Sequence, residues 1–353
     1  MRRVLFNLHL YTGLAAAWFV LIFGLTGSIM AFETEIDRVM HWHLSYVTPQ
    51  GGRVLSLAEI TAMVEKRFPG ERIFGYGVAT SPDQSYSVSL PRRELYVNPY
   101  TGELLGTRAD GVTLLGRIHQ LHLSMLLLIN PRLGKQIMSW AGVAMLFMLL
   151  SGIYLWWPYQ RFRIQWKGSA RRVWFDIHAV TGIFSFAFLL VLAVTGVLIG
   201  FEEKSVPWFY KVTGSTPSRP PRAEVTPPPG ATPIGPDRAL EIARAALPGA
   251  APFEIPIPGP KGVYSIRARY PEDLTPGGRS AVVVDQYSGA VLFAEGSRGA
   301  PAGARMAIAT RAIHTGDILG IPSKAVMSLA SLMAVVEVCS GLTMWWKKRK
   351  RAA

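Results

Sequence analysis

The beginning and the middle of the chain contain the same pattern, repeated at a constant spacing. Residues 3–33 and 172–202 both read Arg-Val-x-Phe-x-x-His-x-x-Thr-Gly and then continue through Thr-Gly to Phe-Glu. An internal repeat of this kind indicates that one structural unit is used twice. Each copy places one histidine, His9 or His178, at the start of a long apolar run. The repeat therefore predicts a symmetric pair of histidines inside apolar helices.

The apolar runs are long enough to cross a membrane. Hydrophobic residues make up 50% of the chain and charged residues only 17%. A hydrocarbon core of about 30 Å takes roughly 20 helical residues, and four windows reach that length: residues 4–32, 136–160, 177–201 and 325–346. A signal peptide is an alternative for the first window, but its copy in the third favours a retained helix. We predict a membrane α-helical bundle of four transmembrane helices, built as two tandem repeats of two.

The distribution of charge predicts the orientation of these helices. If both termini are cytoplasmic, the inside segments are residues 1–3, 161–172 and 347–353, which hold two, five and five Lys or Arg residues and no acidic residue. The long outside segments are nearly balanced in charge. This is the positive-inside pattern of a membrane protein with both termini in the cytoplasm. It also accounts for most of the net charge of +14, and no aromatic-interleaved basic stripe is present, so we expect no nucleic-acid partner.

Each half of the chain carries an outside segment with mixed secondary structure. A predicted amphipathic helix is followed by alternating apolar and polar residues, which predict strands, and by Asn-Pro-Tyr-Thr-Gly or Asp-Gln-Tyr-Ser-Gly, which predict tight turns. We predict two periplasmic α+β modules. Residues 215–236 contain eight prolines and predict an extended linker. Prolines at 252, 256, 258 and 260 suggest an irregular edge in the second module.

These predictions divide the chain into ten segments. They are a transmembrane helix at 1–32, the first module at 33–112, an outer interfacial helix segment at 113–135, a transmembrane helix at 136–160, a cytoplasmic basic loop at 161–172, a transmembrane helix at 173–201, the proline-rich linker and second module at 202–305, an outer interfacial segment at 306–324, a transmembrane helix at 325–346 and a cytoplasmic basic tail at 347–353.

The repeated histidines are the strongest candidates for ligands. Intramembrane histidines usually face the bundle interior, because an imidazole facing lipid is costly. Gly13 and Gly182 follow four residues after His9 and His178, on the same helical face. Their missing side chains would leave space for a flat macrocycle beside each ligand. The alternative is an interfacial histidine with a glycine used for helix packing, and the symmetric duplication favours ligation.

A second pair of histidines is predicted on the outer side. His122 precedes a proline by nine residues and His314 precedes one by eight, and each proline leads into a transmembrane helix that ends in Ser-Gly-x-x-x-Trp-Trp. This spacing favours His122 as the equivalent of His314. His119 lies one helical turn from His122 and remains an alternative or an additional outer ligand.

Three further features have weaker interpretations. His41 and His43 could bind a metal from a strand, although a solvated loop is the simpler interpretation. Glu337 is the only acidic residue in the four predicted windows, and it is either a neutral carboxyl group bonded within the bundle or a proton relay or cofactor partner. Cys339 is the only cysteine, so neither an intrachain disulfide nor a covalent c-type haem is expected.

Together these residues resemble the PepSY-associated transmembrane helix family, especially the FoxB-like ferric siderophore reductases of bacterial inner membranes. The resemblance covers almost the whole chain, through the His-x-x-Thr-Gly helices, the segments around His122 and His314, and the Trp-Trp helix ends. The strand-turn-strand units resemble PepSY modules. The resemblance implies a reductase with two bis-histidine b haems, one at His9 and His178 and the other at His122 and His314.

The resemblance also implies partners and a direction of electron flow. A separate donor on the cytoplasmic side would reduce the inner haem, and ferric siderophore would be reduced at the outer face to iron(II). Apart from the resemblance, the apolar helices predict contact with a lipid bilayer, and a second copy of the chain is a further candidate partner. A noncatalytic PepSY binding module and an iron or haem permease are the alternative functions.

Overall fold

The computed structural model describes residues 1–109, 113–126, 129–218 and 223–349. The chain forms two compact units. The helical unit consists of Met1–Glu33, Thr113–Phe209 and Met306–Ala353, and the sheet unit of Thr34–Val112 and Tyr210–Arg305.

The elements alternate between long helices and short mixed segments. In chain order they are α1 (Arg2–Met30), α2 (Glu33–Met40), α3 (Trp42–Ser45), α4 (Leu57–Arg67), β1 (Gly75–Gly77), β2 (Tyr86–Leu90), β3 (Arg93–Val97), β4 (Leu104–Ala109), α5 (Leu114–Ser124), α6 (Pro131–Trp156), α7 (Ala170–Gly200), α8 (Glu202–Thr213), α9 (Gly235–Ala246), β5 (Ala251–Pro256), β6 (Val263–Arg269), β7 (Ser280–Asp285), β8 (Val291–Glu295), α10 (Ala302–Thr315) and α11 (Ile321–Arg349).

The helical unit is a bundle of long apolar helices. Among the described residues, four helices are long and apolar enough to cross a membrane: α1, α6, α7 and α11. Both α1 and α7 pack against α6 and α11. The Arg2 guanidinium donates to the Leu155 carbonyl, so the start of α1 lies beside the end of α6. The shorter helices α5 and α10 lie at the other end of the bundle, where they contact Thr26 and Thr195.

The third long helix begins earlier than its apolar window predicts. Ser169 caps α7 by accepting a hydrogen bond from the Arg172 amide, so the helix starts at Ala170. This brings Asp176 into the helix, where it is fully buried and bonded to the Arg172 guanidinium. Glu337 is the only acidic residue of the four apolar windows, but it is not the only one in the long helices, because charged residues also form the first turns of α7.

The sheet unit contains one continuous antiparallel sheet. Over the described ranges it has eight strands in the order β4-β3-β2-β1-β5-β6-β7-β8. Helices α4 and α9 bury apolar side chains in the same hydrophobic core, including Ile60 and Ala239, which are both 0% exposed. The Asp237 carboxylate in α9 accepts hydrogen bonds from the first amides of α4, Leu57 and Ala58. The two predicted modules therefore share a sheet, a core and a helix cap.

The junction between the modules lies where an irregular edge is predicted. Strand β5 has a register shift between Pro252 and Glu254, as expected for a proline-containing strand. It is not a free edge, however, because it pairs with β1, and Gly75 lies opposite Pro256. A Cβ atom at Gly75 would lie 3.0 Å from the Ile255 carbonyl oxygen. The absence of a side chain at Gly75 therefore permits this close pairing.

The predicted linker has few local contacts. Its described residues before α9 form neither a helix nor a strand, although the Val225 amide donates to the Lys261 carbonyl. Residues 219–222 of the linker, 110–112 of the first predicted module, 127–128 of the outer segment and 350–353 of the basic tail lie outside the described residues.

Candidate functional site

The two repeated histidines face each other within the bundle. His9 extends from α1 and His178 from α7, and their ring centres are 6.5 Å apart with an interplanar angle of 81°. Both residues lie near the starts of their helices, as the repeat predicts. We call this the first pair.

A second pair of imidazoles occurs at the other end of the bundle. His122 on α5 and His314 on α10 have ring centres that are also 6.5 Å apart, with an interplanar angle of 57°. His122 contacts Thr26, which lies 17 residues after His9 on α1. At 1.5 Å per residue, the two pairs are separated by about 25 Å along the helix axis.

A hydroxyl group holds Nδ1 of each of the four imidazoles. The distances from hydroxyl oxygen to Nδ1 are 2.8 Å for Ser151 and His9, 3.0 Å for Ser340 and His178, 2.8 Å for Thr26 and His122, and 2.9 Å for Thr195 and His314. Each hydroxyl group comes from a long helix other than the one that carries the histidine.

The backbone contacts of these hydroxyl groups determine which ring nitrogen carries the proton. Ser151 donates its hydroxyl hydrogen to the Phe147 carbonyl and Thr195 donates to the Val191 carbonyl. Thr26 and Ser340 likewise donate to carbonyls of their own helices. Because a hydroxyl has one hydrogen, each oxygen accepts from Nδ1–H of its histidine. The tautomer assigned from this network leaves the lone pair on Nε2.

A glycine follows each hydroxyl residue and lies at the edge of the imidazole. The distance from an added Cβ atom to histidine Cε1 would be 3.4 Å from Gly152 to His9, 3.7 Å from Gly341 to His178, 3.5 Å from Gly27 to His122, and 3.0 Å from Gly196 to His314. These Ser-Gly and Thr-Gly dipeptides are visible in the sequence as repeat markers. Only the structure shows that they form the hydrogen-bonding partner and the packing surface of each histidine.

The glycines predicted to lie beside a macrocycle have other neighbours. A Cβ atom at Gly13 would lie 2.8 Å from Cε of Met148, and one at Gly182 would lie 3.2 Å from Oε2 of Glu337. Both neighbours are side chains of the adjacent helix. Gly13 and Gly182 thus make room for Met148 and Glu337 in this structure.

The structure separates the roles of His119 and His122. Nδ1 of His119 lies 2.8 Å from Oε2 of Glu33, whereas the His122 ring packs against His314. In the second half of the chain, Arg311 lies three residues before His314 and pairs with Glu202 at 3.5 Å. The hydrogen bond with Glu33 raises the pKa of His119 against the opposing effect of burial.

The second pair is electrostatically suited to binding a metal. Burial lowers the pKa of His122 to about 3 and that of His314 to about 4. Desolvation disfavours the charged imidazolium form. Both rings are therefore neutral at pH 7, and neutral imidazole is the form that binds metals.

The remaining sequence candidates do not form a multidentate metal site. His41 contacts Asp37 and His43 packs against Trp42. Among the described residues, no group of three or more His, Cys, Asp or Glu side chains could hold a metal ion. Any metal bound by the first or second pair therefore needs additional ligands from outside these side chains.

The spacing within each pair would allow both imidazoles to bind one metal ion. Metal–imidazole bonds are about 2 Å long, as measured for zinc, and a ligating nitrogen lies about 1 Å from its ring centre, so two opposed ligands have ring centres roughly 6 Å apart. The observed separation is 6.5 Å in both pairs. The hydrogen bond to Nδ1 is the usual outer contact of a ligating histidine. A metal ion held in a macrocycle would need only the two histidines of a pair as protein ligands.

The fold and the matched sequence identify the class and then the family. Four helices suitable for crossing a membrane, together with a separate antiparallel sheet unit, define a membrane protein with PepSY-like domains. The model of the PepSY-associated TM region family matches residues 6–348, and the chain belongs to that family. None of the curated proteins compared matches the chain.

Proposed function

We propose that the chain is an inner-membrane haem b protein that transfers electrons outward to ferric siderophore and releases iron(II). The observation that carries this proposal is the presence of two opposed imidazole pairs at the two ends of one membrane bundle. In all four histidines the Nδ1–H is engaged and the Nε2 lone pair remains for a metal.

Two haems are assigned to these pairs. His9 and His178 would hold one, and His122 and His314 the other. When bound, haem b supplies reversible one-electron chemistry at its iron. The four hydroxyl partners keep the imidazoles oriented, and each imidazole is partly buried in the bundle. Because His119 pairs with Glu33, we assign the outer ligand to His122.

The proposed direction rests on charge and on the arrangement of the helix ends. The start of α1 lies beside the end of α6, and the start of α7 beside the end of α11. The three basic segments of the sequence flank these four helix ends. The positive-inside pattern supports placing this end, and the first pair, on the cytoplasmic side. The sheet unit and the second pair then belong to the periplasmic side.

The matching contacts also support an origin by tandem duplication. Ser151 bonds His9 as Ser340 bonds His178, and Thr26 bonds His122 as Thr195 bonds His314. In this proposal each half supplies one ligand to each haem.

Each reduction moves one electron. A separate cytoplasmic donor loses the electron, since the chain has no nucleotide or flavin fingerprint, and one siderophore-bound iron(III) becomes iron(II). Hard oxygen ligands bind iron(II) more weakly than iron(III), and this difference favours release. The substrate class follows the family resemblance, as the FoxB-like reductases act on ferric siderophores.

Haem counting and electron transfer test the proposal. We expect full-length protein purified in detergent to contain two haems per chain. His178→Ala should remove one and His314→Ala the other, whereas His119→Arg, which copies Arg311, should retain both. Protein reduced by stoichiometric dithionite should then convert ferric siderophores to iron(II), trapped by a ferrous chelator, at one iron per stored electron.

Each outcome discriminates among the functions. Wild-type protein without haem would refute the proposal and favour the noncatalytic binding module. Haem-loaded protein that leaves every ferric siderophore oxidised would refute the reductase. Uptake of intact iron complex or haem into proteoliposomes without reduction would indicate the permease.

A further inference from the structure

The first pair is chemically asymmetric. Ser151 and Ser340 are equivalent partners of His9 and His178, but the residues three positions before them differ. Met148 occupies this position on α6 and Glu337 occupies it on α11. Each faces the glycine that follows the local histidine by one turn, Gly13 or Gly182. One half of the site therefore has a thioether where the other has a carboxyl group.

The Glu337 side chain contacts His178 of the first pair directly. Its Oε2 atom lies 2.9 Å from Nδ1 of His178, and the Thr181 hydroxyl bonds its Oε1 atom. Its backbone carbonyl oxygen also lies 3.2 Å from His178 Nδ1. The side chain is only 18% exposed. His178 consequently has a carboxyl acceptor, a carbonyl and a hydroxyl around one N–H group.

The other three histidines have a weaker set of acceptors. His9 has the neutral Ser151 hydroxyl and His122 the neutral Thr26 hydroxyl. His314 has the Thr195 hydroxyl and the Leu192 backbone carbonyl, both neutral. A carboxylate that accepts from a ligating histidine makes the imidazole more basic. A more basic ligand favours the oxidised, more positive metal, and the nearby negative charge acts in the same direction. Both effects are strengthened where water is excluded.

We propose that Glu337 is a positioning residue that lowers the redox potential of the first-pair centre below that of the second-pair centre. This inference rests on the proposed function. It supplies a direction within the bundle, because an electron then moves from the first pair to the second with a decrease in free energy. Glu337 acts through His178 and does not contact substrate.

Spectroscopic redox titration of full-length protein tests this inference. We expect two one-electron waves in the wild type. Glu337→Gln keeps the shape of the side chain but removes its charge. It should raise the midpoint potential of the lower-potential wave by at least about 59 mV, which is a tenfold change in the reduction equilibrium constant. Glu337→Met, which copies the opposite half, should raise it further. Neither substitution should move the upper wave.

A transplanted carboxyl group provides the opposite test. Met148→Glu places a second acidic side chain opposite Gly13. It should lower the midpoint potential of the same wave. Glu203→Gln is the matched control, because Glu203 is exposed and lies near the end of α7. It should leave both waves in place. The electron paramagnetic resonance signal of the first-pair haem should change in the Glu337 variants and remain unchanged in the control.

The outcomes separate this inference from the proposed function. Glu337→Gln protein with full haem content and unmoved waves would overturn the inference, as would an equal shift of both waves. If Glu337→Gln loses haem, the Met148→Glu variant is the test. An unchanged midpoint potential of its lower-potential wave would overturn the inference. Failure of the proposed function is recognised instead in the wild type, by absent haem or absent iron reduction.

Discussion

Nδ1 of His314 lies 2.9 Å from the hydroxyl oxygen of Thr195, which belongs to a different membrane helix. The hydroxyl donates its own hydrogen to the Val191 carbonyl, so it can only accept from the imidazole. Helix α7 thereby sets the orientation of a ligand carried by α10. Thr26 on α1 has the same relation to His122 on α5.

Removing this hydroxyl should weaken cofactor binding at the second pair. Thr195→Val keeps the shape but leaves the His314 N–H without this acceptor. Loss of such an outer contact typically costs 10–100-fold in affinity. We expect a loss in this range, measured by haem titration of apoprotein. Thr343→Val is the control, since among the described residues its hydroxyl bonds the Cys339 carbonyl near the end of α11 and no histidine. Equal affinities for the two variants would contradict the role assigned to Thr195.

Glycine substitutions should have graded effects. A Cβ atom at Gly196 would lie 3.0 Å from His314 Cε1, whereas one at Gly341 would lie 3.7 Å from His178 Cε1. The first distance forces the imidazole to move, and overpacking typically costs about 1–3 kcal/mol. We expect Gly196→Ala to lower the thermal midpoint and disturb the second-pair haem spectrum. Gly341→Ala should do neither, and the reverse order would refute the packing argument.

Asp176 should stabilise the loop between α6 and α7. Its carboxylate accepts from the Arg172 guanidinium and the Gln165 amide, and it lies 3.7 Å from the Arg161 guanidinium. Asp176→Asn introduces the residue type found at the equivalent position of the first repeat, Asn7, but removes these charged hydrogen bonds. We expect a loss of about 1–3 kcal/mol in the free energy of unfolding.

Trypsin accessibility provides a local measurement of the same effect. Cleavage after Arg161, Arg163 or Lys167 should become faster in Asp176→Asn. Arg163→Gln removes one basic residue of the loop and is the control for general charge effects. An unchanged melting temperature together with an unchanged cleavage rate would show that Asp176 does not hold the loop.

The capping box of α4 should make the sheet unit sensitive to acid. Hydrogen bonds from the Ser56 amide, the Arg53 guanidinium and the Ser56 hydroxyl lower the pKa of Glu59 to about 2, from an ordinary value of 4.5. Because the pKa of Glu59 is lower in the folded state than in the unfolded state, its ionised carboxylate contributes fully to stability above about pH 4.5. This contribution is lost as the pH falls through about 2.

Glu59→Gln tests this pH dependence. Glutamine retains an acceptor for the capping box but does not ionise. We expect the urea midpoint of wild type to approach that of Glu59→Gln as the pH is lowered from 6 to 2. Glu65→Gln alters an exposed residue of the same helix and is the control. Parallel curves for wild type and Glu59→Gln would disprove the coupling.

The long helices and several strands could be predicted because their patterns are local. Apolar length alone identifies α1, α6, α7 and α11. Strand β6 occurs at Val263–Arg269, where the residues alternate in polarity. By contrast, β1 consists of only Gly75–Gly77, which is too short to show alternation. Its partner β5 contains prolines that argue against a strand, so the joined sheet could not be predicted from local propensity.

The candidate site could be predicted only at the level of its histidines. The repeat brought attention to His9 and His178, and proline spacing favoured His122 over His119. The hydroxyl partners depend on contacts between residues far apart in the chain, such as Ser151 and His9, 142 positions apart. No local pattern encodes which helix faces turn toward each other. For the same reason, the contact between Glu337 and His178 could not be derived from the sequence.

The pairing of β1 with β5 has a consequence for biosynthesis. Roughly 180 residues separate the two strands. At a synthesis rate of about 5–20 residues per second, β5 is therefore made roughly 10–40 s after β1. Two membrane helices are synthesised during this interval. An unpaired strand edge invites aggregation, and very short edge strands limit that hazard. With only three residues, β1 leaves little unpaired edge exposed before β5 is synthesised.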